Sequence, residues 1–279
     1  MPKYIAKLRY KLRDLVDYLR AFQKDEYSSF KVMEVEGDDY LVAAKKLHAK
    51  VYLDRGFIRE QDIVDGIISP SADPHQMHSK YFVVIDTKAS RMVATARQIE
   101  LRQGRGHHSF AMVKKANLYK RGLKLIRKHD PAKSIEISGL AKERGVSKIA
   151  PLLLYRAMWH RSLREKHTLW LMASDVRLFI RLKLLFGKSI TKVGRVTPYY
   201  GGNVVPSIMC VQESITDLKK SLDSTPWFER PLRHRIARFM LNGLPIDSLS
   251  AKERKALEQL VSTYKPFYSG ISIKPSKDT

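Results

Sequence analysis

The run Ile135-Glu136-Ile137-Ser138-Gly139-Leu140-Ala141 places one carboxylate between two isoleucines. Side chains alternate faces along a strand, so Glu136, Ser138 and Leu140 are expected on one face and Ile135 and Ile137 on the other. A carboxylate among aliphatic neighbours is costly to bury unless it is paired or put to use. The run continues through Lys142-Glu143-Arg144-Gly145-Val146-Ser147-Lys148 into an apolar segment that reads as a helix. A strand, a short loop and a helix N-terminus together make an anion site, because unbonded backbone N–H groups and the helix dipole both face it. Lys142, Arg144 and Lys148 add positive charge. Such a loop fits a phosphate group; the same pattern also occurs as a plain connection.

A second group is Val93-Ala94-Thr95-Ala96-Arg97, in which Arg97 is expected to share a face with Thr95 and Ile99. A mid-strand arginine usually pairs with a carboxylate, and Glu136 is a candidate partner. The alternative is that one of the two contacts a substrate. Cys210 lies among Ile208, Met209 and Val211 and reads as a core cysteine. His75, His78, His107 and His108 have no recognised ligand spacing, so no metal is expected. Met158, Trp159, Trp170 and Met172 read as core. Tyr199-Tyr200-Gly201-Gly202 reads as a turn with packed rings, with a pocket lining as the other reading.

Periodicity supplies the elements that must hold these groups. Residues 3–22 read as a basic amphipathic helix, with Ile5, Leu8, Leu12, Leu15, Val16 and Leu19 at helical spacing. Strands are expected at 30–35, 81–86, 92–101, 134–140, 169–173, 190–196 and 204–211, with a loop or lid over 58–78. Helices are expected over 39–54 and 149–165, and from a cap at Ser174 or Asp175 to a stop at Gly187. Further helices are expected near 215–222, 228–241 and 251–263, the last with a capping box from Ser250 and Glu253. Strands alternating with helices argue for one α/β domain over 28–212, a basic helix over 1–27 and a helical extension over 213–279.

The ordered set now resembles a known family. Val51-Tyr52-Leu53-Asp54-Arg55-Gly56-Phe57 is followed by Asp73-Pro74-His75, Ser79-Lys80-Tyr81-Phe82, Ala94-Thr95-Ala96-Arg97 and the Glu136 run. Leu154-Tyr155-Arg156-Ala157, Leu185-Phe186-Gly187 and Thr197-Pro198-Tyr199-Tyr200-Gly201-Gly202 complete it. Over roughly residues 30–212 this resembles the GNAT superfamily, in the branch of N-acyl amino acid synthases and acyl-homoserine-lactone synthases. The resemblance implies a splayed mixed sheet and transfer of an acyl group from a thioester to an amine. It puts the donor's pantetheine arm in the splay, beside Gly139 and Leu140, and its phosphate on the loop of Lys142, Arg144, Gly145, Ser147 and Lys148. Asp73 matches the first acidic residue of the family's Asp-x-x-Asp, Arg97 its hairpin arginine, and Glu136 and Ser138 its Glu-x-Ser. Asp73 and Arg97 would bind the acceptor, and Glu136 would take a proton from the amine. Backbone N–H groups near Gly139–Ala141 would serve the oxyanion. Gln76 and Gly139 stand where the family has a second aspartate and an arginine, which weighs against homoserine-lactone synthesis from S-adenosylmethionine.

Bulk charge points to the donor. The chain carries 52 Lys plus Arg against 28 Asp plus Glu, a formal charge of +24. Such an excess favours an anionic partner. Residues 177–195 hold Arg177, Arg181, Lys183, Lys188, Lys192 and Arg195 and no acidic residue. An acidic acyl carrier protein would dock there, on Arg177, Arg181 and Lys183, with coenzyme A as the alternative donor and anionic lipid as a further contact. Nucleic acid is the rival class, and a basic binding module without catalysis the rival function. No helix-turn-helix, zinc finger or aromatic ribonucleoprotein motif supports them. No permanently bound cofactor is expected. A single cysteine and no signal-like or spanning apolar run place the protein in the cytoplasm, at most peripheral to a membrane.

Overall fold

Alternating apolar runs form the strands, and helices with apolar stripes cover them. The computed structural model describes residues 26–101, 104–199, 202–223 and 230–241. In chain order the main elements are β1 (Phe30–Glu34), α1 (Asp38–Asp54), β2 (Ile63–Val64), β3 (Ile67–Ile68), β4 (Ser79–Asp86) and β5 (Arg91–Glu100). Then come α2 (Ala111–Lys115), α3 (Lys120–Ile126), β6 (Ser134–Lys142), α4 (Ile149–Arg164), β7 (Leu169–Asp175) and α5 (Val176–Phe186). The last are β8 (Ile190–Lys192), β9 (Thr197–Tyr199), β10 (Gly202–Cys210), α6 (Glu213–Asp223) and α7 (Arg230–Leu241). The main sheet has the order β1-β4-β5-β6-β7-β10-β8, with β9 paired to β10.

Its pairs are antiparallel except β6 with β7, which run parallel from Ser134↔Leu169 to Ile137↔Met172 and then part. Beyond that point β6 stays with β5 as far as Lys142, while β7 stays with β10 as far as Asp175. The sheet therefore opens into a splay after Ile137. The cause is visible in the register of β5 with β6. Arg97 faces Ser138 and Thr95 faces Ala141, so Gly139 and Leu140 together oppose Ala96. This is a bulge, which bends a strand and increases its twist. Gly139 has φ +64, a conformation that glycine adopts without strain.

The bulge also corrects the simple alternation. Glu136 and Ser138 do share a face, but Leu140 packs with Ile135 and Ile137, against the cluster that α4 covers. Ala141 takes the other face, against Leu47 and Val51 of α1. One extra residue has exchanged the two sides.

On one face, α4, α5, α6 and α7 bury the large core, including Met158, Trp159, Trp170, Met172, Leu178, Leu182 and Leu185. The indole N–H groups of Trp159 and Trp170 donate to Ser214 and Ser162, at 2.7 and 2.8 Å, so neither ring is buried at the expense of a hydrogen bond. The other face is shared. Helix α1 covers Tyr81 and Val83 of β4 through Ala44 and Ala141 of β6 through Leu47 and Val51, while the segment from Phe110 to Ile126 covers Leu169, Leu171 and Ile208. Between these two covers lies a gap, and the chemistry-bearing residues face it.

Some expectations are met and others shift. Asp175 is the cap of α5, accepting from Arg177 and Leu178 N–H, and Gly187 ends that helix at φ +61. The stretch 58–78 is more than a loop, for it contains the hairpin β2–β3. Residues 197–199 form β9, whose Tyr199 faces Gly202 of β10. The expected helices at 3–22 and 251–263 lie outside the described residues.

Helices α2 and α3 were not anticipated. Helix α3 lies in close backbone approach to the residue after β8: a Cβ on Gly122 would stand 2.2 Å from the Val193 carbonyl oxygen. Gly122→Ala is expected to force that contact apart at a cost of about 1–3 kcal/mol, the usual range for overpacking. Thermal denaturation checks this, and an unchanged melting temperature would mean that the segment shifts freely.

Candidate active site

Arg97 reaches the gap from β5 and meets Asp73, which enters from the stretch before β4. The pair is bidentate, with Nη1 to Oδ2 at 2.5 Å and Nη2 to Oδ1 at 3.0 Å. Nη1 also donates to the Tyr81 hydroxyl at 3.3 Å. Arg97 is 5% exposed and Asp73 8%, so water screens the pair little. Burial alone pushes the Asp73 carboxyl up, but the Arg97 charge and its hydrogen bonds outweigh that and hold it below the ordinary value. Removing one member of such a pair strands a buried charge.

Glu136, the candidate partner, is therefore not the carboxylate that Arg97 grips. Glu136 lies on the same face of the sheet, but its Oε2 accepts the Met112 N–H at 3.1 Å, at the start of α2. Ala111 N–H also lowers the carboxyl's affinity for protons, as does the Arg97 charge at longer range. Burial is the larger effect: Glu136 is 3% exposed, and its pKa is pushed up to about 7. A carboxyl poised there exchanges a proton near neutral pH, which is what a general base requires. The two carboxylates are thus driven apart in acidity by one arginine that bonds only one of them.

A cavity of about 180 Å³, open to solvent, joins this polar corner to the splay. Asp73, Arg97, Glu136, Ser138, Gly139 and Leu140 all line it, so the expected acceptor and catalytic residues share one space with the first donor residues. The wall also includes His48, Tyr52, Arg55 and Phe57, to which sequence reasoning gave no role. Their signal was the α1 stripe Ala44, Leu47, His48, Val51, in which a histidine occupies an apolar position. Tyr199 lines the same cavity, as its second reading proposed.

The expected phosphate loop lies farther along. Its Gly145 has φ +79, and Ser147 Oγ accepts the Ile149 N–H at 3.3 Å where α4 begins. No acidic residue occupies the first turn of α4, so nothing there offsets the helix dipole. Arg144 and Lys148 are exposed. Lys142 differs: its Nζ donates to the Glu143 and Val146 carbonyls, at 2.9 and 2.7 Å, and so holds the loop's own shape. Burial, then the charges of Arg55 and Arg181, depress its pKa. Arg181 is therefore within electrostatic reach of the loop and half-buried, while Arg177 and Lys183 stand exposed on α5.

Gln76, where a second aspartate was expected, donates from Nε2 to the Ile68 carbonyl at 2.6 Å. Cys210 is half-buried at the end of β10 rather than in the core, with Sγ 3.8 Å from His129 Nε2. Burial pushes its thiol up to about 11, the wrong direction for a nucleophile. Among the described residues no three His, Cys, Asp or Glu side chains converge as metal ligands. No helix among them is long and apolar enough to cross a membrane.

The Glu136 shift has a consequence for stability. The carboxyl titrates near 4.5 when unfolded and about 7 when folded, so the folded protein holds the proton more tightly. That contribution is full below about pH 4.5 and is lost as pH rises through about 7, and linkage makes it worth up to about 3 kcal/mol. Glu136→Gln keeps an acceptor for the Met112 N–H and has no charge to bury. Its melting temperature is expected to exceed that of the wild type at pH 8 and to approach it at pH 5. An equal difference at both values would contradict the shift.

No family model matches the sequence, and no curated protein matches it. Solved structures do match the fold. FeeM, an N-acyl amino acid synthase from uncultured soil microbes, aligns with a TM-score of 0.50 at 14% identity, over 67% of this chain and 94% of its own. The AHL synthase LasI gives 0.47 at 15% identity, over 66% and 92%. BjaI, a CoA-dependent acyl-homoserine lactone synthase, gives 0.49 at 12%, over 74% and 89%. The likeness to FeeM carries the architecture: a mixed sheet splayed between two parallel strands, with helices on both faces, is the GNAT fold, and this chain has it.

Proposed function

We propose that the protein transfers a fatty acyl group from a pantetheine thioester to the amine of an amino acid or a related small amine. The observation that carries this reading is Glu136. Its carboxyl, with a pKa near 7, lines the same cavity as the splay, where the proposed thioester arm would lie. FeeM, whose fold this chain shares, is an N-acyl amino acid synthase, and that supports the reading at the level of the fold. Homoserine-lactone synthesis is less well supported, because Gly139 leaves no side chain at the bulge and Gln76 is tied to a backbone carbonyl.

The chemistry asks little of the protein beyond placement. An amine on the acceptor attacks the thioester carbonyl carbon, and the nitrogen loses a proton to Glu136, directly or through water. Backbone N–H groups beside the bulge stabilise the oxyanion. The carbon–sulfur bond breaks, and the thiolate leaves with the proton that Glu136 has taken. Asp73 and Arg97 position the acceptor, Ser138 lines its path, and the loop from Lys142 to Lys148 receives the donor phosphate.

Glu136→Gln is expected to lower kcat by about 10²–10⁴, the range of a general base. In the wild type, kcat/KM should rise with pH through about 7 and flatten, and the variant should lose that limb. Thiol release and amide formation, followed together, measure both. Wild-type turnover in a folded variant would contradict the role.

The donor is the second test. If the exposed Arg177 and Lys183 dock an acidic carrier protein, encounter is electrostatically steered and weakens as salt screens charges beyond about 8 Å. Acyl carrier protein should then outperform the matching acyl-coenzyme A at low salt, and the advantage should shrink at high salt. Reversing both residues to Glu should remove most of it while leaving coenzyme A turnover nearly unchanged. A salt-insensitive preference for coenzyme A would contradict carrier docking.

A further inference from the structure

Two buried polar atoms beside the Arg97–Asp73 pair have no hydrogen-bond partner among the described residues: His48 Nε2 and Arg97 Nε. Both side chains are more than nine-tenths buried, at 3% and 5% exposure, and both line the cavity. The two side chains meet over Gly139. A Cβ built on Gly139 would stand 3.1 Å from His48 Cε1, 3.2 Å from Arg97 Cγ and 3.2 Å from Arg97 Nε. Gly139 lies at the bulge, where β6 and β7 have just parted. Leaving such groups unsatisfied in the interior is unfavourable, and native structures seldom keep two side by side without a use.

Each neighbour of the ring limits what it can bind. Tyr52 meets it edge to face, with ring centres 4.2 Å apart, and fixes its plane from within α1. Asp73 is engaged by both terminal nitrogens of Arg97, so it offers the ring no strong bond. Burial, then the Arg97 charge, holds the His48 pKa down at about 3, so the ring is neutral wherever Glu136 exchanges its proton. A neutral imidazole with its proton on Nδ1 presents a lone pair at Nε2, whereas the Arg97 Nε–H can only donate.

We propose that His48 Nε2 and Arg97 Nε–H form a two-point subsite for the polar head of the acceptor, His48 accepting an N–H of the attacking amine and Arg97 donating to an oxygen on the same molecule. The inference rests on the acyl-transfer reading and adds a binding residue to it. His48 takes no proton in the reaction. It holds one N–H of the amine, which orients the nitrogen lone pair, while Glu136 receives the proton that leaves. An amine with an oxygen function close to the nitrogen satisfies both atoms. A plain alkylamine satisfies one and leaves the Arg97 Nε–H unpaired, and a site built to bond such a group discriminates strongly against ligands that lack it.

The test uses the full chain, dodecanoyl-coenzyme A and dodecanoyl carrier protein as donors, and either a pool of the L-amino acids or n-butylamine as acceptor, with thiol release as readout. His48→Leu and His48→Met remove the acceptor atom and keep an apolar side chain, and His48→Gln restores an acceptor. Both apolar variants are expected to raise the KM for the amino acid pool at least tenfold, with the donor KM within twofold of the wild type and with normal melting. His48→Gln should recover most of the loss, and n-butylamine, which offers His48 an N–H but gives Arg97 no oxygen, should be a poor acceptor even in the wild type, with a KM that rises further in the two apolar variants. An active wild type with unchanged amine KM in a folded Leu or Met variant, or a donor KM that rises as much as the amine KM, overturns the subsite and leaves acyl transfer standing. A wild type that releases no thiol from either donor contradicts acyl transfer itself, and the subsite with it.

Discussion

A guanidinium gripped through both terminal nitrogens by one carboxylate has its charge committed and its Nε–H uninvolved in that grip, and the site described here follows from that geometry. Arg97 gives Nη1 and Nη2 to Asp73 in the sheet's interior. Had it turned to Glu136 instead, that carboxyl would be held low and ionised, as a paired carboxylate is. Because it does not, burial dominates at Glu136 and sets its pKa near 7. The same commitment leaves Arg97 Nε buried without a partner, as His48 Nε2 is, in two residues that line the cavity. One ion pair thus separates two carboxylates, Asp73 before β4 and Glu136 on β6, into a fixed anion and a proton carrier.

The backbone makes this possible through a single irregularity. Gly139 and Leu140 oppose Ala96 alone, so β6 bends away from β7 just beyond Glu136. The bend opens the space for a thioester arm. It also sends Leu140 to the core and sets Gly139, at φ +64, where an added Cβ would press on His48 and Arg97 at 3.1 and 3.2 Å. Residues 110–126 close the opposite side, and α2 within them supplies the N–H groups that Glu136 accepts.

Much of this was legible in the sequence where one physical rule decided the outcome. The alternation in β4 and β7, the stripe on α4, the Asp175 cap and the Gly187 stop each follow from local periodicity or backbone preference. The Leu178, Leu182 and Leu185 face of α5 packs inward as its spacing implied. Three features were not legible. The partner of Arg97 lies on a stretch with no hydrophobic period, so nothing in the sequence measures its distance from β5. A bulge is one residue long and leaves the apolar pattern nearly intact, so the exchange of faces at Leu140 and Ala141 was hidden. His48 sits at an apolar stripe position, where a histidine usually means a satisfied core group, and only its unpartnered nitrogen distinguishes it.

The most direct measurement is a carbon-13 NMR titration of the Glu136 side-chain carboxyl in the intact protein, with the resonance assigned by its loss in Glu136→Gln and the titration repeated in Asp73→Asn. A midpoint near 7 is expected in the wild type, with a fall in the variant as Arg97 is released to act on Glu136. A wild-type midpoint near 4.5, the value of a solvated glutamate, would contradict a proton-carrying carboxyl at the mouth of the splay.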